Sequence, residues 1–519
     1  MPVTASWSRT LLQQYGHTKL ARLRLRGSRS LSTAVTDPAI RQFICRLGEH
    51  QPCYGVASSS IRIMSQPQDF YQCLLNMIQR ARQRIFISSL YIGSEDFELI
   101  DTLRASLQAN PLLRVQMHLD YNRCTRPEPL STANLLVPLL KEFPDRVRVW
   151  LFRSPKLKGL LAKLMPPRFN EGWGGTWHPK IYGADDELLI SGANLNTSYF
   201  TNRQDRYIHF TDQAPLAQYC LSFLDQAATF SYSLLPSSST SGDYVLDWPD
   251  QRTHPHHFES KAQAALTAFQ DRSRKSSISK VTSVMSGVQQ GEKSKADTLV
   301  FPIIQAGQFS VREEERCLSL LFRQVSGTES QTPGNTGHMI DLTSGYFGLY
   351  KPYQDLIIGS QLACRVLAAS PKANGFYGSR GVSGRVPEGY TVLERQFMRA
   401  VNTAKRDWTH DQHTGEHSGV QLNEWERDGW TYHAKGIWLR PTPSADPSVT
   451  LFGSTNLNSR SANLDTELSF LLVTNASALR SRLAEELNDL RAYAHPWKGA
   501  ERKVRLGSWI LARALQDRL

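Results

Sequence analysis

The chain repeats itself, and the repeat limits its possible folds more than any other feature. SerLeuTyr at 89–91 and SerGlyTyr at 344–346 stand 344 − 89 = 255 residues apart, and the same offset carries His178 onto His433 and Lys180 onto Lys435. Downstream, SGANLN at 191–196 matches GSTNLN at 453–458 with an offset of 456 − 194 = 262. The extra residues fall in the turn-rich stretch 441–447, and loops absorb such insertions readily. A match sustained over most of a domain is a duplication, so the two halves must share one architecture. Before the first SerLeuTyr, apolar residues recur at Phe70, Leu74, Leu75, Ile78 and Ala81, which predicts an amphipathic helix; the β-rich run IFISSLYI follows it. A second such strand, MIDLTSGYF, begins at Met339. The expectation is an α/β protein of two duplicated domains, each a mixed β-sheet flanked by helices, with one active site shared at their interface.

At 519 residues the chain exceeds one ordinary core, and its 40% hydrophobic content fills two. The layout expected is a leader over 1–36, a first domain over 37–232, a linker or partly disordered insertion over 233–298, and a second domain over 299–519. The linker reading rests on SSSTSG, RSRKSSISK and GEKSKAD, which are poor in core-forming residues. Residues 1–36 contain Arg9, Lys19, Arg22, Arg24, Arg26 and Arg29 with no acid before Asp37, the pattern of a mitochondrial transit peptide. A basic tail that binds nucleic acid is the alternative. Without those six charges the net charge of +13 falls to +7, a surplus that suits anionic lipid, a phosphate-bearing substrate or nucleic acid alike. No run approaches the roughly 18 apolar residues of a membrane span. The seven cysteines are scattered, with no CysXxxXxxCys pair, which indicates neither a zinc site nor a disulfide framework.

The chemistry concentrates in the repeats. HisProLysIleTyrGlyAlaAsp at 178–185 fits HxKxxxxD and is followed by Asn194 and Asp205; the second half supplies His433, Lys435, Ser454, Asn456 and Glu467. The acid follows the asparagine by the same interval in both halves, 205 − 194 = 467 − 456 = 11. Alternate residues His178 and Lys180 point to one face of a strand, and asparagine on a returning strand converges on the same pocket. Two half-sites facing each other then provide the groups for substitution at a phosphodiester with neither metal nor cofactor. One histidine attacks phosphorus, the other protonates the departing oxygen, and the roles reverse in the second step. Lys180, Lys435, Asn194 and Asn456 donate to the non-bridging oxygens of the transition state. Asp205 and Glu467 are expected to orient His178 and His433, respectively. Asp185, the last residue of the catalytic motif, lies at a predicted hairpin turn and is expected mainly to brace it, although its mutation should still reduce activity.

These residues resemble the phospholipase D superfamily. MPPRFNEGWGGTWHPKIYGADDELLISGANLNTSYFTNRQDRY and GFYGSRGVSGRVPEGYT at 375–391 are similar to its branch that makes phosphatidylglycerophosphate, and the resemblance spans nearly all of 55–230 and 300–515. It implies transfer of a phosphatidyl group from CDP-diacylglycerol to glycerol-3-phosphate with release of CMP, feeding cardiolipin synthesis at the matrix face of the inner membrane. It carries motif roles onto His178, Lys180 and Asp185, and onto His433 and Lys435. Arg440 stands where the second motif would place Asp, so that hairpin must be braced differently. The same chemistry also serves a phosphatidylserine synthase, a cardiolipin synthase or a nucleic-acid phosphodiesterase, although the mixture of basic and apolar residues favours lipid over nucleic acid.

Two further stretches bear on membrane or headgroup contact. SPKLKGLLAKLMPPR at 154–168, with Lys156, Lys158, Lys163 and Arg168, reads either as a lipid-docking segment or as an ordinary core helix. The GSRGVSG loop at 378–384, with Arg380 and Arg385, reads either as a headgroup or membrane contact or as a simple glycine-rich turn. It lacks the GlyLys(Ser/Thr) ending of a nucleotide loop. VRLGSWILARAL near the carboxyl end is expected to be an amphipathic docking helix.

Overall fold

The structure is a computed structural model that describes residues 37–515 except 96, 128–129, 159–173, 239–242, 286–295, 327–336 and 411–416. Two large sheets form its frame. The first runs in the order Tyr244–Asp247, Tyr232–Pro236, Val147–Phe152, Arg114–Asp120, Arg84–Ser88, Ile181–Ala184, Glu187–Ser191, Tyr207–Phe210, Ile61–Met64. The second has Met339–Ser344 at its centre, flanked by Ala363–Ala369 and Val420–Trp425 on one side and by Lys435–Arg440, Val449–Gly453 and Glu467–Thr474 on the other. In both, the strand that leads into the repeated Ser-x-Tyr has two parallel strands on one side and an antiparallel hairpin, entered from His-x-Lys, on the other. The duplication read from sequence is therefore a duplication of strand order. Every residue of Ile181–Ala184, Lys435–Arg440 and Glu467–Thr474 is buried, as expected of sheets covered on both faces.

The helix expected near residue 70 is Pro67–Arg80; it buries Phe70, Leu74, Leu75 and Ile78 and feeds the strand Arg84–Ser88. The inner core lies between the sheets. There Ile181, Ile190 and Phe210 meet Phe452, Leu468 and Phe470, with the Phe210 and Phe452 rings stacked at 6.3 Å.

The expected domain limits are not those of the packing. Pro38–Gly48 buries Ile40, Phe43, Ile44 and Leu47 in the outer core of the second half, and Tyr54–Val56 pairs with Thr298–Ala306 of the second sheet. The stretch taken as a linker extends the first sheet by Tyr244–Asp247 beside Tyr232–Pro236. It then forms the helix Glu259–Met285. Phe258, Ala262, Leu266 and Phe269 enter the inner core. Those four side chains recur at helical spacing, and one stripe suffices to bury a helix whose overall composition is polar. Residues 286–295 of that stretch, and the leader 1–36, lie outside the described residues.

Candidate active site

Short backbone contacts between the halves position the reactive groups. Arg203–Gln204 pairs in parallel with Thr431–Tyr432, and Trp177 forms the matching bridge to Thr466. The His433 amide thereby donates to the Gln204 carbonyl at 2.8 Å, and the His178 amide to the Thr466 carbonyl at 2.9 Å. In each case the next residue along the partner strand is the acid. Each acid is thus delivered to the histidine of the opposite half: His178 Nδ1 lies 3.0 and 2.9 Å from the two carboxylate oxygens of Glu467, and His433 Nδ1 lies 2.6 Å from Asp205 Oδ2. This corrects the pairing expected from sequence, Asp205 with His178 and Glu467 with His433. The spacing within each half is a true repeat, but the interface exchanges the partners.

Both histidines are buried, with their Nδ1 atoms engaged by carboxylates, which leaves Nε2 as the reactive nitrogen. Burial lowers the proton affinity of His178 against the opposing pull of Glu467. Burial, then Lys435 and Arg203, holds His433 well below the ordinary histidine range. Lys180 and Lys435 are buried too, and desolvation lowers both. Glu467 keeps its charge despite burial because His178 and Lys180 face it and the hydroxyls of Ser454 and Ser461 donate to it. Burial raises Asp205 against the opposing pull of Lys435, so the site sets imidazoles of lowered basicity beside a charged Glu467, an arrangement that suits a nucleophile and a base.

Lys180 Nζ donates to the His178 carbonyl at 2.7 Å, and Lys435 Nζ to the His433 carbonyl at 2.6 Å, so each ammonium group is anchored beside its own histidine. Gly192 makes room for this: a Cβ there would sit 2.5 Å from Asp205 Oδ1 and 2.7 Å from Lys435 Nζ. Asn194 Nδ2 donates to the Tyr199 hydroxyl at 3.1 Å. The Oδ1 atoms of Asn194 and Asn456 are buried with no protein partner, so each carboxamide keeps one end for a ligand.

Asp185 takes no place in this pocket. It occupies the left-handed turn position at φ 51° and accepts from the backbone amides of Arg82, Gln83 and Arg84 at 2.7, 2.8 and 3.0 Å. Asp185→Ala should therefore cost on the order of 1–3 kcal/mol of stability. The folded variant should keep the wild-type turnover number; equal loss of turnover in fully folded protein would place Asp185 in the chemistry. Arg440 braces the second hairpin from the equivalent position by donating to Asp341 at 3.1 Å and to the Ala445 carbonyl at 3.1 Å.

Sequence reasoning passed over Tyr199 and Arg203. The Tyr199 hydroxyl lies 3.3 Å from His433 Nε2, and the ring of Tyr346 meets the His433 imidazole edge-on at 5.5 Å. Carrying the 262 offset two steps further would have paired Tyr199 with Ser461 and Arg203 with Asp465, exposing where the halves differ.

No protein-family model matches the chain. It is 35% identical over 476 residues to the mitochondrial CDP-diacylglycerol–glycerol-3-phosphate 3-phosphatidyltransferase of Gallus gallus, covering 86% of this chain and 82% of that protein. The Homo sapiens protein of the same name is 34% identical over 506 residues, which cover 90% and 86% of the two chains. The chain belongs to the CDP-diacylglycerol–glycerol-3-phosphate 3-phosphatidyltransferase family. The phosphatidylserine synthase of Haemophilus influenzae shares the fold, with a TM-score of 0.65 at 19% identity over 92% of this chain and 99% of that one.

In this member of the phosphatidyltransferase family, the residues suspected of lipid contact fall into two groups. Lys156 and Lys158 are exposed on either side of the buried Leu157, which packs on Gly174; Lys163 and Arg168 lie outside the described residues. Arg380 and Arg385 are exposed on the loop that continues through the turn Gly381–Arg385, and Arg385 abuts Gly507 at the start of the helix Leu506–Leu515.

Proposed function

We propose that this chain transfers the phosphatidyl group of CDP-diacylglycerol to glycerol-3-phosphate, giving phosphatidylglycerophosphate and CMP through a phosphohistidine. The observation that carries this reading is the pair of crossed histidine–carboxylate dyads around two anchored lysines in a member of this family. His178 Nε2 attacks the phosphorus that bears diacylglycerol; an N–P bond forms as the P–O bond to CMP breaks. The acceptor hydroxyl then gives its proton to His433 Nε2, its oxygen attacks the same phosphorus, and the N–P bond breaks. Lys180 and Lys435 hold the non-bridging oxygens as charge grows on them. The test is incorporation of labelled glycerol-3-phosphate into lipid by the full chain in detergent micelles with chelator present. Transfer supports the reading. Indifference to glycerol-3-phosphate, with serine, water or an oligonucleotide accepted instead, overturns it.

The donor is a lipid, and a face suited to a bilayer adjoins the site. No helix among the described residues is long and apolar enough to cross a membrane. Phe376, Tyr377 and Val382 on one loop and Leu506 and Ile510 on the neighbouring helix are exposed by 38%, 59%, 54%, 77% and 65%. Glu388 ties the two together by accepting from Arg505 and Ser508. Arg380, Arg385, Lys503 and Arg513 add exposed positive charge. The Phe376 ring lies 6.2 Å from Tyr346, which packs on His433. Apolar tips with basic neighbours fit an anionic interface. This supports peripheral binding to the matrix face of the inner mitochondrial membrane, where the product would enter cardiolipin synthesis, in keeping with the basic leader and the mitochondrial relatives. A Tyr377→Ser, Val382→Ser, Ile510→Ser triple variant should lose at least ~10-fold in cosedimentation with cardiolipin-containing vesicles, since each apolar tip is worth about 1 kcal/mol or more. Its activity in micelles should persist. Unchanged cosedimentation would remove this face from the membrane contact.

A further inference from the structure

Because the halves repeat, the places where the repeat fails around the pocket mark what each side must recognise for itself. The residue types that perform chemistry correspond across the halves: His178 with His433, Lys180 with Lys435, Asn194 with Asn456, Asp205 with Glu467. Two flanking positions do not. Ser461, which donates to Glu467, corresponds to Tyr199, whose hydroxyl reaches His433 Nε2. Asp465, which accepts from the backbone and hydroxyl of Thr176 and pairs with Arg460, corresponds to Arg203. A carboxylate already engaged on one side is replaced by a guanidinium group on the other, beside His433.

Arg203 has no carboxylate partner among the described residues. Its guanidinium lies over the Tyr199 ring at 4.5 Å, and its Nε donates to the Thr431 hydroxyl at 2.9 Å. These contacts fix the plane of the group while leaving its charge unneutralised. Its Nη2 and the Tyr346 hydroxyl converge on Gly375, where a Cβ would stand 3.1 Å from each. Glycine therefore lets the backbone pass close to a cation and a hydroxyl beside His433 without a side chain crowding either. A fixed guanidinium with a neighbouring hydroxyl is a receptor for a phosphate dianion.

We infer that Arg203, with the Tyr346 hydroxyl beside it, binds the phosphomonoester of the acceptor, and so makes glycerol-3-phosphate rather than an uncharged alcohol the substrate. The inference rests on the proposed transfer reaction. In a double displacement the acceptor enters on the side from which the leaving group departed. Two phosphate groups could therefore meet Arg203 in turn, that of departing CMP and that of the acceptor. The reacting phosphoryl group already has Lys180 and Lys435. The acceptor hydroxyl must reach His433, which places its phosphate, at the other end of a three-carbon chain, toward the neighbouring Arg203.

The two half-reactions separate these sources. The first is exchange of labelled CMP into CDP-diacylglycerol, which involves no acceptor; the second is transfer to glycerol-3-phosphate, measured beside transfer to glycerol. Arg203→Gln should raise the KM for glycerol-3-phosphate at least ~30-fold, a lost charge-assisted contact of about 2 kcal/mol. CMP exchange should stay within about threefold of wild type, transfer to glycerol should fall far less than transfer to glycerol-3-phosphate, and inorganic phosphate should compete less well than it does with wild type. Gly375→Ala, whose methyl would crowd the Arg203 guanidinium and the Tyr346 hydroxyl without removing charge, should show the same split. CMP exchange that falls in step with transfer would assign Arg203 to the donor and overturn the inference, as would an unchanged KM for glycerol-3-phosphate in both variants. Wild-type protein that exchanges CMP but never uses glycerol-3-phosphate would instead overturn the proposed reaction itself.

Discussion

Glu467→Gln should slow the formation of phosphoenzyme by about 10³- to 10⁴-fold, and Asp205→Asn should leave that step nearly intact while slowing discharge to the acceptor by a similar factor. The scale is that of exchanging the orienting carboxylate of a hydrolytic triad for its amide, which favours the wrong imidazole tautomer. Glu467 holds His178 Nδ1 through both oxygens, so in the proposed reaction its loss falls on the nucleophile; Asp205 holds His433, so there its loss falls on the base. His178→Ala, with no nitrogen to receive the phosphoryl group, should abolish phosphoenzyme altogether and reduce transfer by about 10⁶-fold. His433→Ala should still be labelled, and the label should persist. Rapid quenching with donor labelled at the diacylglycerol-bearing phosphorus reads both steps. The crossed arrangement requires Glu467→Gln to behave like His178→Ala and Asp205→Asn like His433→Ala. The opposite correspondence would mean that each acid serves the histidine of its own half.

That crossing shows where sequence reasoning reached and where it stopped. Two sustained offsets, 255 for His and Lys and 262 for Asn and the acid, made the duplication, the central strands and the members of the pocket legible, because a repeat preserves residue type and spacing. Asp185 was legible as a turn residue from its place in HxKxxxxD, and it caps three amides at a left-handed position. Which histidine each acid serves was not legible. It depends on the parallel pairing of Arg203–Gln204 with Thr431–Tyr432, and two-residue strands leave no periodic signature. The helix Glu259–Met285 escaped for a related reason, since Ala262, Leu266 and Phe269 enter the core from a sequence that is polar in overall composition. Tyr199 and Arg203 were hidden because an alignment of repeats draws attention to what matches, whereas the specificity of one side lies in what does not.

Arg206→Ala should destabilise the folded protein by about 3–5 kcal/mol, more than any single surface change, because it strands a buried charge. Arg206 stands next to Asp205 and crosses into the second half. Its Nε and Nη2 each bind Glu486 at 2.8 Å, its Nη1 donates to the Leu451 carbonyl at 2.9 Å, and its guanidinium lies over the Trp438 ring at 3.8 Å. Glu486 is 4% exposed and also accepts from Trp438 Nε1 at 3.0 Å. Without Arg206, that carboxylate must either hold an unpaired charge in a dry interface or take up a proton. Truncating both partners removes the uncompensated charge, so the double variant Arg206→Met, Glu486→Leu should recover a large part of the loss seen in Arg206→Ala. Urea unfolding of the three proteins measures this. A loss below about 1 kcal/mol in Arg206→Ala, or a double variant no better than the single one, would show that the pair does not weld the halves. The weld matters to the chemistry because the backbone that carries Arg206 also carries Asp205 to His433. The amide of Arg206 donates to Asp205 Oδ1 at 2.9 Å, so the clamp between the halves and the orientation of His433 are set by adjacent residues in the short link between the strands Arg203–Gln204 and Tyr207–Phe210. In variants that remain folded, weakening the clamp should therefore slow discharge to the acceptor more than formation of the phosphoenzyme.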